Sequence, residues 1–347
     1  MDGPIFLDRI TDQLRHYPAK LQLTGNKLQI QIPATEPKPP KSAIADIIQS
    51  LRPWETELRQ QQIQQITLYG LRADRAIVWR QTIDLTAKPP SPNDPYSFTN
   101  PNLNLFAFPS LLILGTLSNF LFKRLLFGWQ TWTHEVGHAI VAWLSGHQAT
   151  PLPFGWTNVG EERSFYVYCC FLALLGIIGW TGWKENKHVV MGITGGLAIV
   201  QFFMTWTMAR DTFDMLLCFG GLGGELYISA ALIVAFYFPL PDRWRWDFWR
   251  YPLGILAAST FTDNFSLWHS IKRGTADIPW GSLFGGEDDA GGDMNRLSQD
   301  HDWTDSQIIQ TYSSLSILCL ITMLAIYAFI LWRQFSSTIK GSHGVID

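Results

Sequence analysis

Charge is scarce over most of this sequence. Residues 1–100 carry 22 of the 55 Asp, Glu, Lys and Arg side chains and only three of the 28 glycines. The rest is apolar and rich in Gly and Trp, the usage of a chain that spans a bilayer. There is no excess of basic residues: the formal net charge is −3. That excludes a broad electrostatic footprint for nucleic acid. Cysteine is scarce too. Cys169, Cys170, Cys218 and Cys319 all fall inside apolar runs. They have neither the spacing of a zinc ribbon nor that of a disulfide framework, and read as small packing residues. Met1 to Ile10 holds two Asp and an Arg without an apolar core, so it is not read as a secretory signal.

The charged part, residues 1–88, reads as a soluble α+β module. Leu21 and Leu23, then Leu28, Ile30 and Ile32, alternate about Gly25-Asn26, which predicts a hairpin. Ile44, Ile47, Ile48 and Leu51 have helical spacing. Alternation resumes from Gln65 to Leu85, with a turn expected at Leu71–Arg75. The order is ββαββ. Residues 89–102 form a Pro-rich linker.

A helix needs about 20 apolar residues to cross a bilayer core. Candidate runs are Leu103–Phe122, Trp129–Leu144, Phe165–Trp183, Val189–Met208, Met215–Phe238, Pro252–Ser270 and Tyr312–Trp332. The second and sixth are the least apolar of them. The fold class expected is mainly α: a polytopic transmembrane bundle of about six or seven spans over 103–335, with the small N-terminal module in front. A Gly- and Asp-rich loop covers 281–305, and 336–347 form a tail. Trp244, Trp246, Trp249 and Tyr251, mixed with Arg243, Arg245 and Arg250, read as an interfacial anchor.

The sequence that carries chemistry is His134-Glu135-Val136-Gly137-His138. On a helix, residues i and i+4 share a face, so both imidazoles can hold one Zn²⁺. Glu135 is then placed as the catalytic base that takes a proton from metal-bound water. Ala139 to Leu144 continue an apolar helix, where two His and a Glu are costly without a function or a partner. A catalytic zinc usually has three protein ligands. His147 lies half a turn out of phase with His138 and reads as a loop residue after Gly146. Glu225, after Gly220-Gly221-Leu222-Gly223-Gly224 and inside an apolar run, is the acid chosen as third ligand; Asp263 and Asp293 are the alternatives. Asp211 and Asp214 flank the fifth run, and the remaining acids of the 281–305 loop read as a solvated turn. His₂-carboxylate ligation suits zinc and also accepts iron or cobalt.

At His134, Glu135 and His138 the chain resembles the membrane-embedded zinc proteases of the site-2 protease class. The likeness extends over about residues 103–270. It implies a metal within the bilayer and cleavage of membrane or membrane-adjacent proteins. The Leu-Asp-Gly that supplies the family's third ligand is missing here; Asp263-Asn264 stands nearest in position and Glu225 nearest in environment. The N-terminal strands, through Leu21-Gln22-Leu23, Leu28-Gln29-Ile30, Ile66 to Arg72 and Trp79-Arg80-Gln81, resemble a module of cyanobacterial proteins. That implies a multi-pass protein of a plasma or thylakoid membrane. The expected partners are the lipid bilayer and a peptide or membrane-protein substrate. The competing expectation is a scaffold or transporter whose His pair is structural. A different zinc-dependent hydrolysis is also compatible with the residues.

Overall fold

The computed structural model describes residues 94–342 apart from 242, 243 and 245. Before them it describes 19–24, 27–33 and 63–84 apart from 73 and 75, with Ile10, Ile47, Leu51 and Leu58. The chain forms two compact units, Met1–Ser91 and Pro92–Asp347.

The first unit is built on a four-stranded sheet in sequence order, β1 (Lys20–Thr24), β2 (Lys27–Pro33), β3 (Gln65–Leu71) and β4 (Ile77–Asp84). The alternation read in the sequence places Leu28, Ile30 and Ile32 in a core with Ile66, Leu68 and Trp79. β1–β2 and β3–β4 are antiparallel, whereas β2 and β3 run parallel, Leu28 opposite Ile66. A parallel pair needs a crossover connection. Ile47 and Leu51 are helical and buried in that connection; Ile44 and Ile48 of the expected helix lie outside the described residues. The turn expected at 71–75 closes through a bond from Arg72 N–H to the Ala76 carbonyl (3.0 Å).

The second unit is mostly helical. Its elements are α1 (Pro101–Leu144), a hairpin of β5 (His147–Leu152) and β6 (Trp156–Arg163), α2 (Phe165–Lys184), α3 (His188–Trp206), α4 (Arg210–Ala235), α5 (Arg250–Lys272), α6 (Asp293–Gln299) and α7 (Asp305–Ser342). Among the described residues, five helices are long and apolar enough to cross a membrane: α1, α2, α3, α4 and α7 over Asp305–Ser336. The expectation of six or seven spans is corrected at two places. First, Leu103–Phe122 and Trp129–Leu144 belong to one helix, because nothing between them stops it. Non-helical dihedrals at Phe122 only kink it. At 1.5 Å per residue α1 is roughly 66 Å long, about twice a bilayer core. Second, α5 is wrapped by protein, with Ala257, Ala258, Phe261 and Trp268 buried. A helix covered by its neighbours can carry the Ser, Thr, Asn and Asp that α5 carries. At the C-terminus helix α7 runs beyond the expected boundary at 335, as far as Ser342.

Asn100 starts α1. Its side-chain oxygen accepts from Leu103 N–H, and Pro101 follows at the first helical position. Arg250 is buried rather than interfacial. Its guanidinium donates to the Pro95 and Ser97 carbonyls (2.9 and 3.2 Å) and lies 4.1 Å from the Phe98 ring centroid. It thereby ties the end of the Pro-rich linker to α5. Trp244 and Trp249 are exposed, as an anchor requires, while Trp246 is buried; Arg243 and Arg245 lie outside the described residues. Phe108, Leu111, Leu226, Ile233, Phe261 and Trp268 fill the core, with Trp268 stacked on Tyr312 at 4.5 Å. Ile177, Trp180, Ile193, Ile199 and Phe203 leave α2 and α3 apolar on their outer faces, surface that a bilayer would cover.

Two close helix approaches position the site. Gly115 of α1 packs on Ala258 and Ser259 of α5. Gly137 of α1 meets Gly220 and Gly224 of α4, where a Cβ on Gly224 would stand 2.5 Å from the Gly137 Cα. Small residues at this spacing let helix backbones touch.

Candidate metal centre

His134, Glu135 and His138 lie in the half of α1 that follows the kink. The two imidazole centroids are 4.8 Å apart. Each ring is held from behind through Nδ1. His134 Nδ1 is 3.0 Å from Glu225 Oε1, and His138 Nδ1 is 2.7 Å from the Leu217 carbonyl, both on α4. A ring that donates from Nδ1 has its lone pair on Nε2, the arrangement of metal-ligating histidines.

The two Nε2 atoms face Asp293 Oδ2, at 3.2 Å from His134 and 3.3 Å from His138. His134, His138 and Asp293 together offer three ligand atoms within 4.8 Å of one another. The segment expected as a Gly- and Asp-rich loop over 281–305 is interrupted by α6, and Asp293 opens that helix. Burial disfavours its charged form, but the His138 and His134 imidazoles outweigh that and hold its carboxyl well below the usual carboxylate range.

Three observations fit a bound metal. A tetrahedral Zn²⁺ with bonds of about 2.0–2.1 Å has ligand–ligand edges of roughly 3.3–3.4 Å, close to the two His–Asp separations. Asp293 Oδ2 is buried without a hydrogen-bond partner, and such an atom is costly unless something satisfies it. Finally, Gly221 leaves room: a Cβ there would stand 2.5 Å from His134 Cε1 and Nε2 and would also strike Asp293 Oδ2. Gly221→Ala is expected to lower metal affinity at least as much as loss of an outer partner does, about 10–100-fold. It should also destabilise the fold by about 1–3 kcal/mol through overpacking. Zinc titration and thermal unfolding of the purified variant measure both.

Glu135 points into the same cleft, a space of about 560 Å³ lined by α1, β6, α4, α5 and the 279–296 segment. Its Oε2 accepts a 2.5 Å hydrogen bond from Thr157 Oγ1 on β6. Phe127, Trp156, Leu222, Trp280 and Leu283 make the walls apolar, and Arg296 adds a single guanidinium.

The structure therefore brings His134, Glu135 and His138 to one place but puts Asp293, not Glu225, beside the shared Nε2 face. Glu225 stands on the opposite edge of the His134 ring. Helix α4 is held against α1 by glycine contacts, and this leaves the carboxylate of Glu225 behind the ring rather than in front of it. Asp263 lines the cleft without joining the three-ligand group. His147 begins β5 rather than lying in a loop. Its Nδ1 is 2.8 Å from the Gly160 carbonyl, and its ring stacks on Phe213 at 4.1 Å. Asp211 lies 3.3 Å from His301 Nδ1, and Asp214 pairs with Arg210 at 3.1 Å. In the loop, Asp289 accepts from Ser282 Oγ and Gly291 N–H, a turn rather than a ligand.

No protein-family model, no curated protein and no solved structure matches the chain. Thr157 and Gly221 had no signal of their own in the sequence. The β5–β6 hairpin did: Pro153-Phe154-Gly155, with Gly155 at φ +82°, sits between two short alternating runs.

His147 makes the hairpin sensitive to acid. Burial pushes its imidazole below the ordinary range, Arg210 and Arg163 push the same way, and the bond to Gly160 and the charge of Asp214 oppose them. The unfolded chain thus binds this proton at a higher pH than the folded chain does. Stability is complete above the ordinary His value of about 6.5 and is lost as pH falls below it. The thermal midpoint should fall between about pH 7.5 and about pH 5.5. It should fall by less in His147→Gln.

Proposed function

We propose that this protein is a membrane-embedded, zinc-dependent endopeptidase that cleaves membrane or membrane-adjacent proteins, with Glu135 as its catalytic base and His134, His138 and Asp293 as its metal ligands. The observation that carries the proposal is the convergence of His134 Nε2, His138 Nε2 and Asp293 Oδ2 on one face of a cleft that also receives the Glu135 carboxylate. Two of the five apolar helices, α1 and α4, line that cleft, which supports a substrate met at or within the bilayer.

When bound, Zn²⁺ supplies a Lewis acid that polarises a carbonyl and acidifies water. The chain supplies the rest. Glu135 accepts a proton from the attacking water as its oxygen adds to the scissile carbonyl carbon. The same carboxyl returns the proton to the amide nitrogen as the C–N bond breaks. Thr157, bonded to one carboxylate oxygen, fixes the direction in which the other faces. The apolar walls exclude bulk water and accept apolar side chains. A helical substrate must unwind locally first, because its own hydrogen bonds shield the peptide carbonyls.

The test uses the full chain purified in detergent. Elemental analysis should find one zinc per chain, and a membrane-anchored peptide reporter should be cleaved in a chelator-sensitive way. Zinc without cleavage of any reporter would favour a scaffold or transporter. Absence of zinc after reconstitution would remove the proposal altogether.

A further inference from the structure

Glu225 is 7% exposed on a helix long and apolar enough to cross a membrane. An acid there is costly unless it is partnered, and the metal position does not use it. It has two partners, one on each oxygen. Oε1 faces His134 Nδ1 at 3.0 Å, and Oε2 accepts from Asn264 Nδ2 at 2.6 Å. Asn264, on α5, is 4% exposed, and its amide also donates to the Thr260 carbonyl at 3.2 Å. The carboxylate cannot rotate without losing one bond, nor the amide without losing another. The result is a chain of side chains across three helices, Asn264 to Glu225 to His134.

Its consequence follows from the imidazole. A neutral ring has one N–H. With a carboxylate at Nδ1, the proton belongs on Nδ1 and the lone pair on Nε2, toward Asp293. The other tautomer would set a lone pair against the carboxylate and an N–H where the metal binds. His138 reaches the same state by a different route, since its Nδ1 partner is the Leu217 main-chain carbonyl. That partner is fixed by the helix, whereas the orientation of His134 depends on side chains that can be changed one at a time.

The geometry points to Glu225 and Asn264 as positioning residues of the metal centre: the Asn264 amide clamps the Glu225 carboxylate, and the carboxylate sets the tautomer and direction of the His134 ring. This inference rests on the metal-site reading above. It also gives α5 a task beyond packing, because that helix carries Asn264 to the end of the chain.

The test is a Co²⁺ titration of the full-length protein in detergent, read by visible absorption. Wild type should take one equivalent. Glu225→Ala and Asn264→Ala should each bind about 10–100-fold more weakly, the usual effect of removing an outer partner. The stoichiometry should stay at one and the bands near the wild-type wavelengths, since all three ligands remain. Glu225→Gln keeps an acceptor oxygen for His134 but turns its NH2 to the Asn264 amide, and should recover part of the affinity lost in Glu225→Ala. Asn264→Leu keeps the number and branching of side-chain heavy atoms and should weaken binding by at least about tenfold. These two variants decide the matter if the alanine forms do not fold. Loss of the bands in Glu225→Ala, or their replacement by those of another coordination, would make Glu225 a ligand and overturn the inference. Affinities within twofold of wild type would make both residues spectators, with the metal site itself intact. Failure of wild type to bind Co²⁺ would instead remove the metal-site reading, and this inference with it.

Discussion

Glu135→Gln is expected to keep its zinc and to hydrolyse peptide about 10²–10⁴-fold more slowly, the usual contribution of a general base. The substitution preserves volume in a position that is 5% exposed. The Gln oxygen still accepts from Thr157 Oγ1, so the bond that holds the side chain to β6 survives. What disappears is the ability to take a proton. Metal content by elemental analysis and kcat on a membrane-anchored reporter, both in the same preparation, separate chemistry from folding. Unchanged hydrolysis would exclude Glu135 as the base. Loss of zinc together with activity would mean that it supports the metal site instead.

Asp293→Ala should lose metal more severely than any change at Glu225. Removing the third ligand leaves two imidazoles, and the affinity should drop by more than the roughly 10–100-fold that an outer partner is worth. What the metal-free protein loses is the pairing of Oδ2 with the His134 and His138 imidazoles at 3.2 and 3.3 Å, made from the first turn of the seven-residue helix α6. In the metal-free state the variant should therefore unfold below the wild-type temperature near neutral pH, because the imidazoles that hold the Asp293 carboxyl below the usual carboxylate range have lost their partner. Equal zinc affinities of wild type and Asp293→Ala would displace Asp293 from the ligand set. Comparison with Glu225→Ala and Asp263→Ala in one titration ranks all three acids.

How far the sequence foretells this arrangement depends on the range of each contact. The His134-Glu135-Val136-Gly137-His138 pair is local to one helix, so its spacing alone places both rings on one face. The β1–β4 strands are legible for the same reason, since alternation is a neighbour property. Asp293 is different. It reaches the two rings only because the 279–296 segment folds back onto α1 and α4, and no periodicity within that segment records the return. Glu225 is marked by its apolar surroundings, and it does have a partner there, but burial alone does not say which edge of a ring a carboxylate meets. The helix limits failed where local signals were weak. Lys123-Arg124 and Gly128 resemble a break, yet the helix passes through them with a kink one residue earlier. In α5, polar residues that would be expelled from lipid are retained because protein surrounds them.

The contact among Gly137, Gly220 and Gly224 has a further consequence. There, main chain rests on main chain, so the gap between α1 and α4 is set by atoms that no rotamer can move. A thicker or thinner bilayer would tilt this pair as one unit before it could widen the gap. The distance from His134 to Glu225 is thereby insulated from the lipid, and the centre keeps one dimension in any membrane that the helices can enter.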